Sequence, residues 1–372
     1  MNRRDFLSVA STGVALGALP LPVRAQPARR MRVVALGQAL IKHDLRTFPY
    51  EDLAAFPKLF SAADICFSDL EISIKGPRAG VPTRGTTSEF THYAQPAVLD
   101  CLKSLSINVL AMSNNHAFDL NTGGILDALD EVRARGYTQA GAGRNLDEAV
   151  MPGFRDTANG TFAVVSFATG MIRPGGAATA TRPGVNEIRR PAPDVLDDED
   201  VERNLASIRT AAAKAAVVLV YHHNHYWEPD FANTPAWQQV LARRCIDNGA
   251  TLFVSHGAPL LHGIEIYRRR PIFYGLGSFI FHTVTKIGYY RPAVWESAIA
   301  DCTFASGELA SLRFVPVTLN EHGLAPENHL QTRGRPSFAR GEDAARILAR
   351  VEALCAPYGA RITVRDGVGL IG

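Results

Sequence analysis

Four short stretches carry side chains that could do chemistry together. Ser113-Asn114-Asn115-His116-Ala117-Phe118-Asp119 sets an amide beside an imidazole. Asn115 can offer a carbonyl oxygen to a metal, and His116 an imidazole to a substrate. The plainer alternative is a helix N-cap next to an ordinary polar histidine. His222-His223-Asn224-His225-Tyr226-Trp227-Glu228-Pro229 places three histidines within four residues, and isolated surface histidines rarely cluster in this way. Ser255-His256-Gly257-Ala258-Pro259 adds another imidazole, and Asp69-Leu70-Glu71 a carboxylate. A carboxylate, an amide oxygen and imidazoles are the ligands that divalent ions take in hydrolytic sites.

Each of these groups follows a predicted strand. Asp64 to Phe67 precedes Glu71, Ile107 to Ala111 precedes Asn115 and His116, Ala216 to Tyr221 precedes the histidine cluster, and Ala250 to Val254 precedes His256. Strand tips are where open α/β sheets place their ligands. Met31 to Gln38 reads as a first core strand ending in a Gly turn. Helices are expected over Asp52 to Phe60, Ala97 to Leu105, Gly124 to Arg135, Glu202 to Ala215, Trp237 to Asn248 and Asp343 to Cys355. A hairpin is expected at Gly263 to Gly275, and antiparallel strands at Ser297 to Thr303 and Leu309 to Val317. The Gly-rich turn Gly141-Ala142-Gly143 lacks the spacing of a dinucleotide fingerprint. Gly170 to Asp200 is long, irregular and rich in Pro, Gly and Arg, which suits an active-site cover or a surface insertion. No short internal repeat is present. Alternating β and α followed by a hairpin-rich half predicts one large α/β domain with mixed sheets.

The chain has 372 residues, 47% of them hydrophobic, enough for a sizeable core. A net charge of +3 calls for neither nucleic acid nor an anionic membrane as partner. Residues 1–25 read as an export signal of the twin-arginine type: Arg3-Arg4 with Phe6-Leu7, an apolar run from Val9 to Leu21, and Val23-Arg24-Ala25 as a cleavage site. Cleavage there would lower the net charge to +1 and place the mature protein in the periplasm or outside the cell. No further segment is long enough to span a membrane. The five cysteines are scattered and read as small core residues, with at most one disulfide pair.

Asn114-Asn115-His116-Ala117-Phe118-Asp119, Gly141-Ala142-Gly143-Arg144-Asn145, Gly263-Ile264-Glu265-Ile266-Tyr267 and Pro271-Ile272-Phe273-Tyr274-Gly275-Leu276-Gly277-Ser278-Phe279 together resemble the CapA family of poly-γ-glutamate capsule proteins. The resemblance runs from about Arg32 to Val317. It implies a metallophosphatase-like layered α/β/β/α sandwich over residues 31–319, with 320–372 a C-terminal extension carrying a closing helix. This sequence departs from the family pattern in places. The usual Gly-Asp of the first strand tip is Gly37-Gln38, and Asn-Leu-Glu is Asp69-Leu70-Glu71. His-Trp-Gly becomes His223-Asn224-His225, or starts at His222 if counted back from Pro229. The last histidine of Gly-His-His-Pro-His becomes Pro259. The resemblance then implies that one of two metals has lost two of its ligands, giving a one-metal site or a two-metal site completed by His43, Asp44 or His225. It leaves Glu71, Asn115, His223 and His256 to hold one divalent ion: manganese, iron or zinc. Gln38, His43, Asp44, His222 and His225 are further candidates for metal or substrate, with His43 and Asp44 equally readable as a polar loop. His116 would act on the substrate, not on the metal.

The expected function is that of an exported metal-dependent hydrolase linked to poly-γ-glutamate or another envelope polymer, cleaving a phosphoester or a γ-glutamyl amide. Its partner would be an anionic polymer or a phosphoester. The alternative is a non-catalytic accessory protein with a degenerate metal site. Arg173, Arg182, Arg189 and Arg190 would then bind an anionic polymer. A nuclease reading of His-Asn-His has no support from the flanking pattern or the low charge.

Overall fold

A computed structural model describes residues 30–81, 91–228 and 230–371; the expected export signal at 1–25 lies outside the described residues. The strand Arg30–Leu40 organises the fold. Its side chains alternate, as a period of two demands: Met31, Val33 and Ala35 enter one apolar cluster, and Val34 and Leu36 enter another on the opposite face. A strand covered on both faces needs such a nearly continuous apolar run.

Arg30–Leu40 lies inside a ten-stranded mixed sheet. It pairs in parallel with Ile65–Asp69 and Ser278–Phe281, and antiparallel with Glu296–Ala305. Val109–Ala111 and Thr138–Ala140 continue the sheet in parallel on one side. A six-stranded sheet is built on Gly160–Thr169, Val217–Asn224, Leu252–His256 and Arg270–Phe273, all parallel. Gly153–Thr157 and Ile264–Tyr267 add antiparallel edges.

The two sheets face each other. Val33, Phe67 and Val109 of the first share one core with Phe162, Leu219 and Val254 of the second. The helices Ala97–Ser104 and Asn121–Ala134 cover the outer face of the first sheet, where Leu99, Ile125 and Leu129 meet Val34 and Leu110. Asp198–Ala212 and Ala236–Asp247 cover the other, with Leu205, Ile208 and Leu241 on Val218 and Val220. The result is a mixed α/β architecture in helix, sheet, sheet, helix order.

Helix ends follow their caps. The helix expected from Glu202 starts at Asp198, because the Asp197 side chain accepts from the Asp200 N–H and three acidic residues fill the first turn. The helix Gly341–Cys355 buries Ile347, Leu348, Val351 and Cys355 against the core between the sheets. At roughly 1.5–3 kcal/mol per large buried apolar side chain, packing outweighs the few tenths of a kcal/mol per residue that propensity supplies. Residues 320–371 join the large sheet through Pro336–Phe338 and Val368–Ile371. The buried Arg335 guanidinium donates to the carbonyls of Leu45, at 3.1 Å, and of Phe48. All five cysteines are buried and unpaired in disulfides. No helix among the described residues is long and apolar enough to cross a membrane.

The stretch between Gly170 and Asp197 is stitched down. Gly184–Val185 pairs with Ala142–Gly143, and Asn186 bonds to Ser166 and Asn204.

Candidate metal centre

His223 and His256 lie in the last residues of parallel strands, Glu71, Asn115 and His225 follow the C-terminal ends of such strands, and the two facing sheets bring these tips to one place. Strand alternation selects the histidine. Tyr221 and His223 point between the sheets and His222 points the other way, because neighbours on a strand face opposite sides. Gly257 follows His256 with φ +130°, and a Cβ there would lie 1.7 Å from the Asn224 carbonyl oxygen. Only glycine lets the His256 tip close against the tip carrying His223 and His225.

The atoms that converge are lone-pair donors. His223 Nε2 lies 2.9 Å from Asn115 Oδ1, 3.0 Å from His225 Nε2 and 3.7 Å from Glu71 Oε1. Atoms that share a small divalent ion at 2.0–2.2 Å sit roughly 3–3.5 Å apart, so these separations suit one. Glu71, His223 and His225 form the metal-capable group among the described residues. On the far side of the carboxylate, His256 Nε2 is 4.0 Å from Glu71 Oε2. Neither of those two atoms has a hydrogen-bond partner. Burial pushes the Glu71 carboxyl well above its usual range, and the neighbouring Asp69 and Asp119 add to this. The histidines move the other way. Burial and His116 lower His223 to about 3, and burial holds His225 and His256 well below their ordinary value. Neutral imidazoles grouped around a buried carboxylate of unmet charge suit a cation.

A second layer fixes His223. Its Nδ1 is 3.0 Å from the Tyr221 hydroxyl and 3.4 Å from Asp69 Oδ2. Asp69 in turn accepts from Asn114 Nδ2 at 3.0 Å. Burial lifts the Asp69 carboxyl to about 7. A carboxylate behind a histidine is the usual device for aiming the other ring nitrogen at a metal.

His116 stands beside this group, with Nε2 4.0 Å from Glu71 Oε1. Its Nδ1 is 2.9 Å from Asp119 Oδ2, and Asp119 Oδ1 accepts from Arg173 Nε at 2.6 Å. Asp119 also accepts from the His92 backbone N–H. Ser73 Oγ lies 2.8 Å from both the His116 and the Ala117 carbonyl, so its single proton is shared between them and pins the turn. Sequence reasoning gave Asp69 and Asp119 no role and offered Arg173 as a polymer-binding residue, whereas it pairs with Asp119. Asp119 stood in the quoted motif three residues after His116, a spacing that lets a turn bring the two together.

The remaining candidates lie elsewhere or play other parts. His222 is a core residue: its Nε2 meets Thr169 Oγ1 at 2.9 Å and its ring packs among Phe167, Trp237 and Phe253. His43 packs tilted against His282 with ring centroids 5.6 Å apart and lines a separate cavity. Asp44 lines that cavity too, caps Leu45–Thr47 and pairs with Arg46 at 2.6 Å. Gln38 does face the centre, with Nε2 on Ser278 Oγ at 3.0 Å and Oε1 without a partner. The four loop arginines do not form an open basic surface. Arg173 is bound to Asp119, Arg182 donates to the Ala177 carbonyl, Arg189 pairs with Asp200, and Arg190 pairs with Glu228 and stacks on Tyr226.

A cavity of about 420 Å³ opens over Glu71, Asn115, His116 and His225. Gln38 and His92 complete its polar floor, and Met171, Trp227, Pro259, Phe281, Tyr289 and Tyr290 supply much of its wall.

Residues 32–283 match the family described as bacterial capsule synthesis protein PGA_cap. Two proteins of Sinorhizobium fredii, the uncharacterized proteins y4sH and y4uA, are each 29% identical to the chain, covering 91% of it and 92% of their own length. The PGA biosynthesis protein CapA of Bacillus subtilis is 31% identical over 60% of the chain and 54% of its own length. A probable polyglutamine synthesis accessory protein of Mycobacterium tuberculosis is 26% identical over 73% of the chain and 70% of its own length.

Proposed function

Since the chain belongs to the PGA_cap family of bacterial capsule synthesis proteins, we propose that it is a metal-dependent hydrolase of metallophosphatase-like fold, working on a phosphoester or γ-glutamyl amide in capsule or envelope polymer metabolism. Residues 31–319 would form the catalytic unit and 320–372 an extension that completes its sheet. Loss of residues 1–25 on export would place it outside the cytoplasm. The observation that carries the reading is the meeting of His223 Nε2, His225 Nε2 and Asn115 Oδ1 beside a buried Glu71 carboxylate. One Nε2 proton could serve only one of those contacts, whereas a cation serves them all.

Glu71, His223 and His225 would hold one divalent ion with Asn115, and His256 stands at the second Glu71 oxygen. Bound there, such an ion would polarise the scissile ester or amide and make water a better nucleophile. The protein's own residues do the rest. Asp69 and Tyr221 hold His223 in the tautomer that leaves its Nε2 lone pair facing the centre. Asn114 anchors Asp69 and accepts from the His116 N–H, which fixes the turn presenting Asn115. His116 keeps its Nδ1 proton on Asp119, so its Nε2 lone pair is the end that meets substrate; there it would take a proton from the attacking water and pass that proton to the departing oxygen or nitrogen. Burial of Glu71, His223 and His256, each at most 4% exposed, keeps bulk water from competing for these contacts.

Elemental analysis of the folded, exported protein tests the reading. About one equivalent of metal is expected, lost in Glu71→Ala and in His223→Ala. Absence of metal under every loading condition would overturn it. Stoichiometric binding would then justify a screen of phosphoesters and γ-glutamyl amides.

A further inference from the structure

The cavity over the metal centre has two unlike ends. Its floor carries Glu71, Asn115, His116 and His225, and its wall carries Met171, Trp227, Phe281, Tyr289 and Tyr290. No lysine or arginine is among its described lining residues. Arg173 pairs with Asp119, and Arg190 with Glu228. The rings form a connected wall: Tyr289 meets Tyr290 edge-on with centroids 4.8 Å apart, and Tyr290 meets Phe281 at 5.4 Å. Trp227 packs on His225 at 4.7 Å, which joins the wall to the floor. Tyr289 is nevertheless 57% exposed and Met171 39% exposed. Val284 and Ile287, in the same turn as Tyr289, are also exposed. Large apolar surface left facing a cavity is surface that a ligand can cover.

We propose that the substrate places one anionic or reacting group on the floor and an uncharged, ring-bearing apolar group against the wall formed by Trp227, Phe281, Tyr289 and Tyr290. This rests on the metal-dependent reading above and narrows its substrate class. A polyanion threaded through the cavity would set its further carboxylates against rings and thioether, where none of the described lining side chains is a cation, and carboxylates stripped of water need such partners. An aryl or similarly flat neutral group instead gains offset or edge contacts with several rings. The reacting bond therefore joins a small anionic or amide centre to a neutral apolar residue, not two charged repeat units.

Equilibrium binding to the metal-loaded protein, read by calorimetry, decides this without catalysis. The probes are methylphosphonate, phenylphosphonate and a γ-linked glutamate trimer, with metal content measured on the same sample. Phenylphosphonate is expected to bind roughly tenfold or more tighter than methylphosphonate, from burial of a phenyl ring against the wall. In Tyr289→Ala that preference should fall below about threefold, since one ring of the wall is gone. Equal affinity for the two phosphonates, no binding of either, or tighter binding of the glutamate trimer would overturn the proposal while leaving the metal reading intact. A sample that takes up no metal would instead remove the reading on which it rests.

Discussion

Replacing Asp119 by asparagine should both loosen the fold and disarm His116. The Asp119 side chain is fully buried and accepts from His116 Nδ1, Arg173 Nε and the His92 N–H. Asparagine is almost isosteric but keeps a single acceptor oxygen. If that oxygen stays on Arg173, the new NH₂ points at the His116 ring and the His92 N–H, so two donors collide and His116 must turn its bare nitrogen inward. If the oxygen turns to His116, Arg173 faces an NH₂ in a site where its own side chain is only 6% exposed. Removing one partner of a buried ion pair costs about 3–5 kcal/mol. Urea unfolding of the metal-free protein should show a loss of that order. Arg173→Met in the same chain should recover much of it, because an apolar side chain then replaces the buried guanidinium that has lost the Asp119 carboxylate. Function separates the two effects. The displaced His116 proton would move from Nδ1 to Nε2, the end facing Glu71 and the cavity. Hydrolysis of any substrate found by screening should fall by on the order of 10²–10⁴, and the double variant should stay equally slow. Imidazole nitrogen NMR reads the tautomer directly. A variant within about 1 kcal/mol of the parent, with His116 still protonated at Nδ1, would refute the argument.

His222→Leu should keep its metal while losing about 1–3 kcal/mol of stability, since Thr169 and Gln238 lose a buried partner. His225→Ala should lose metal at similar or smaller cost to folding, so parallel metal analysis and urea unfolding separate the two histidines, and metal loss in the first would contradict the strand facing. Gly257→Ala should cost more than about 3 kcal/mol, if it folds at all, because the added Cβ meets the Asn224 carbonyl at 1.7 Å and the backbone angle is unfavourable; a thermal midpoint matching the parent would count against the close approach. Burial holds His282 well below its ordinary value, and its Nδ1 accepts from the Lys42 and His43 N–H groups. The unfolded chain binds the proton first, so His282 leaves stability intact above the ordinary pKa near 6.5 and removes about 1.4 kcal/mol for each pH unit below it until the folded-state pKa is reached. His282→Asn keeps an acceptor near the same place without titrating, so urea unfolding between pH 7 and 5 should show a shallower slope; an unchanged slope would mean the ring is not held neutral.

Much of this was legible because strand tips are written in the sequence as apolar runs that stop at polar residues. Val217 to Tyr221 ended at histidines, and Val109 to Ala111 led to Asn115 and His116. Counting could not choose between His222 and His223, since alternation needs a known facing; Tyr221 and Leu219, buried between the sheets, supply it. His225 belongs with His223 because the chain leaves the strand at Asn224 and its N–H still bonds Thr169, keeping it on the same face. Arg173 was hidden because its partner Asp119 is 54 residues away, across a loop with no periodicity to read. The loop arginines suggested a basic surface from composition alone, and their individual carboxylate and carbonyl partners are a tertiary fact.

The position of Arg30–Leu40 has a consequence for how the polypeptide can be made. This strand is the first described part of the chain to leave the ribosome, yet one edge waits for Ser278–Phe281 and Glu296–Ala305. Until some 275 further residues have been translated, its apolar faces and unpaired N–H and C=O groups are open to other chains. The sheet must therefore close after most of synthesis is over, and a holding factor that masks the early strands would raise the yield of folded protein. A chain cut at 283, where the family match ends, would keep every proposed ligand and still lack the antiparallel neighbour that seals that edge. Such a fragment should aggregate, although its metal-binding residues are all present.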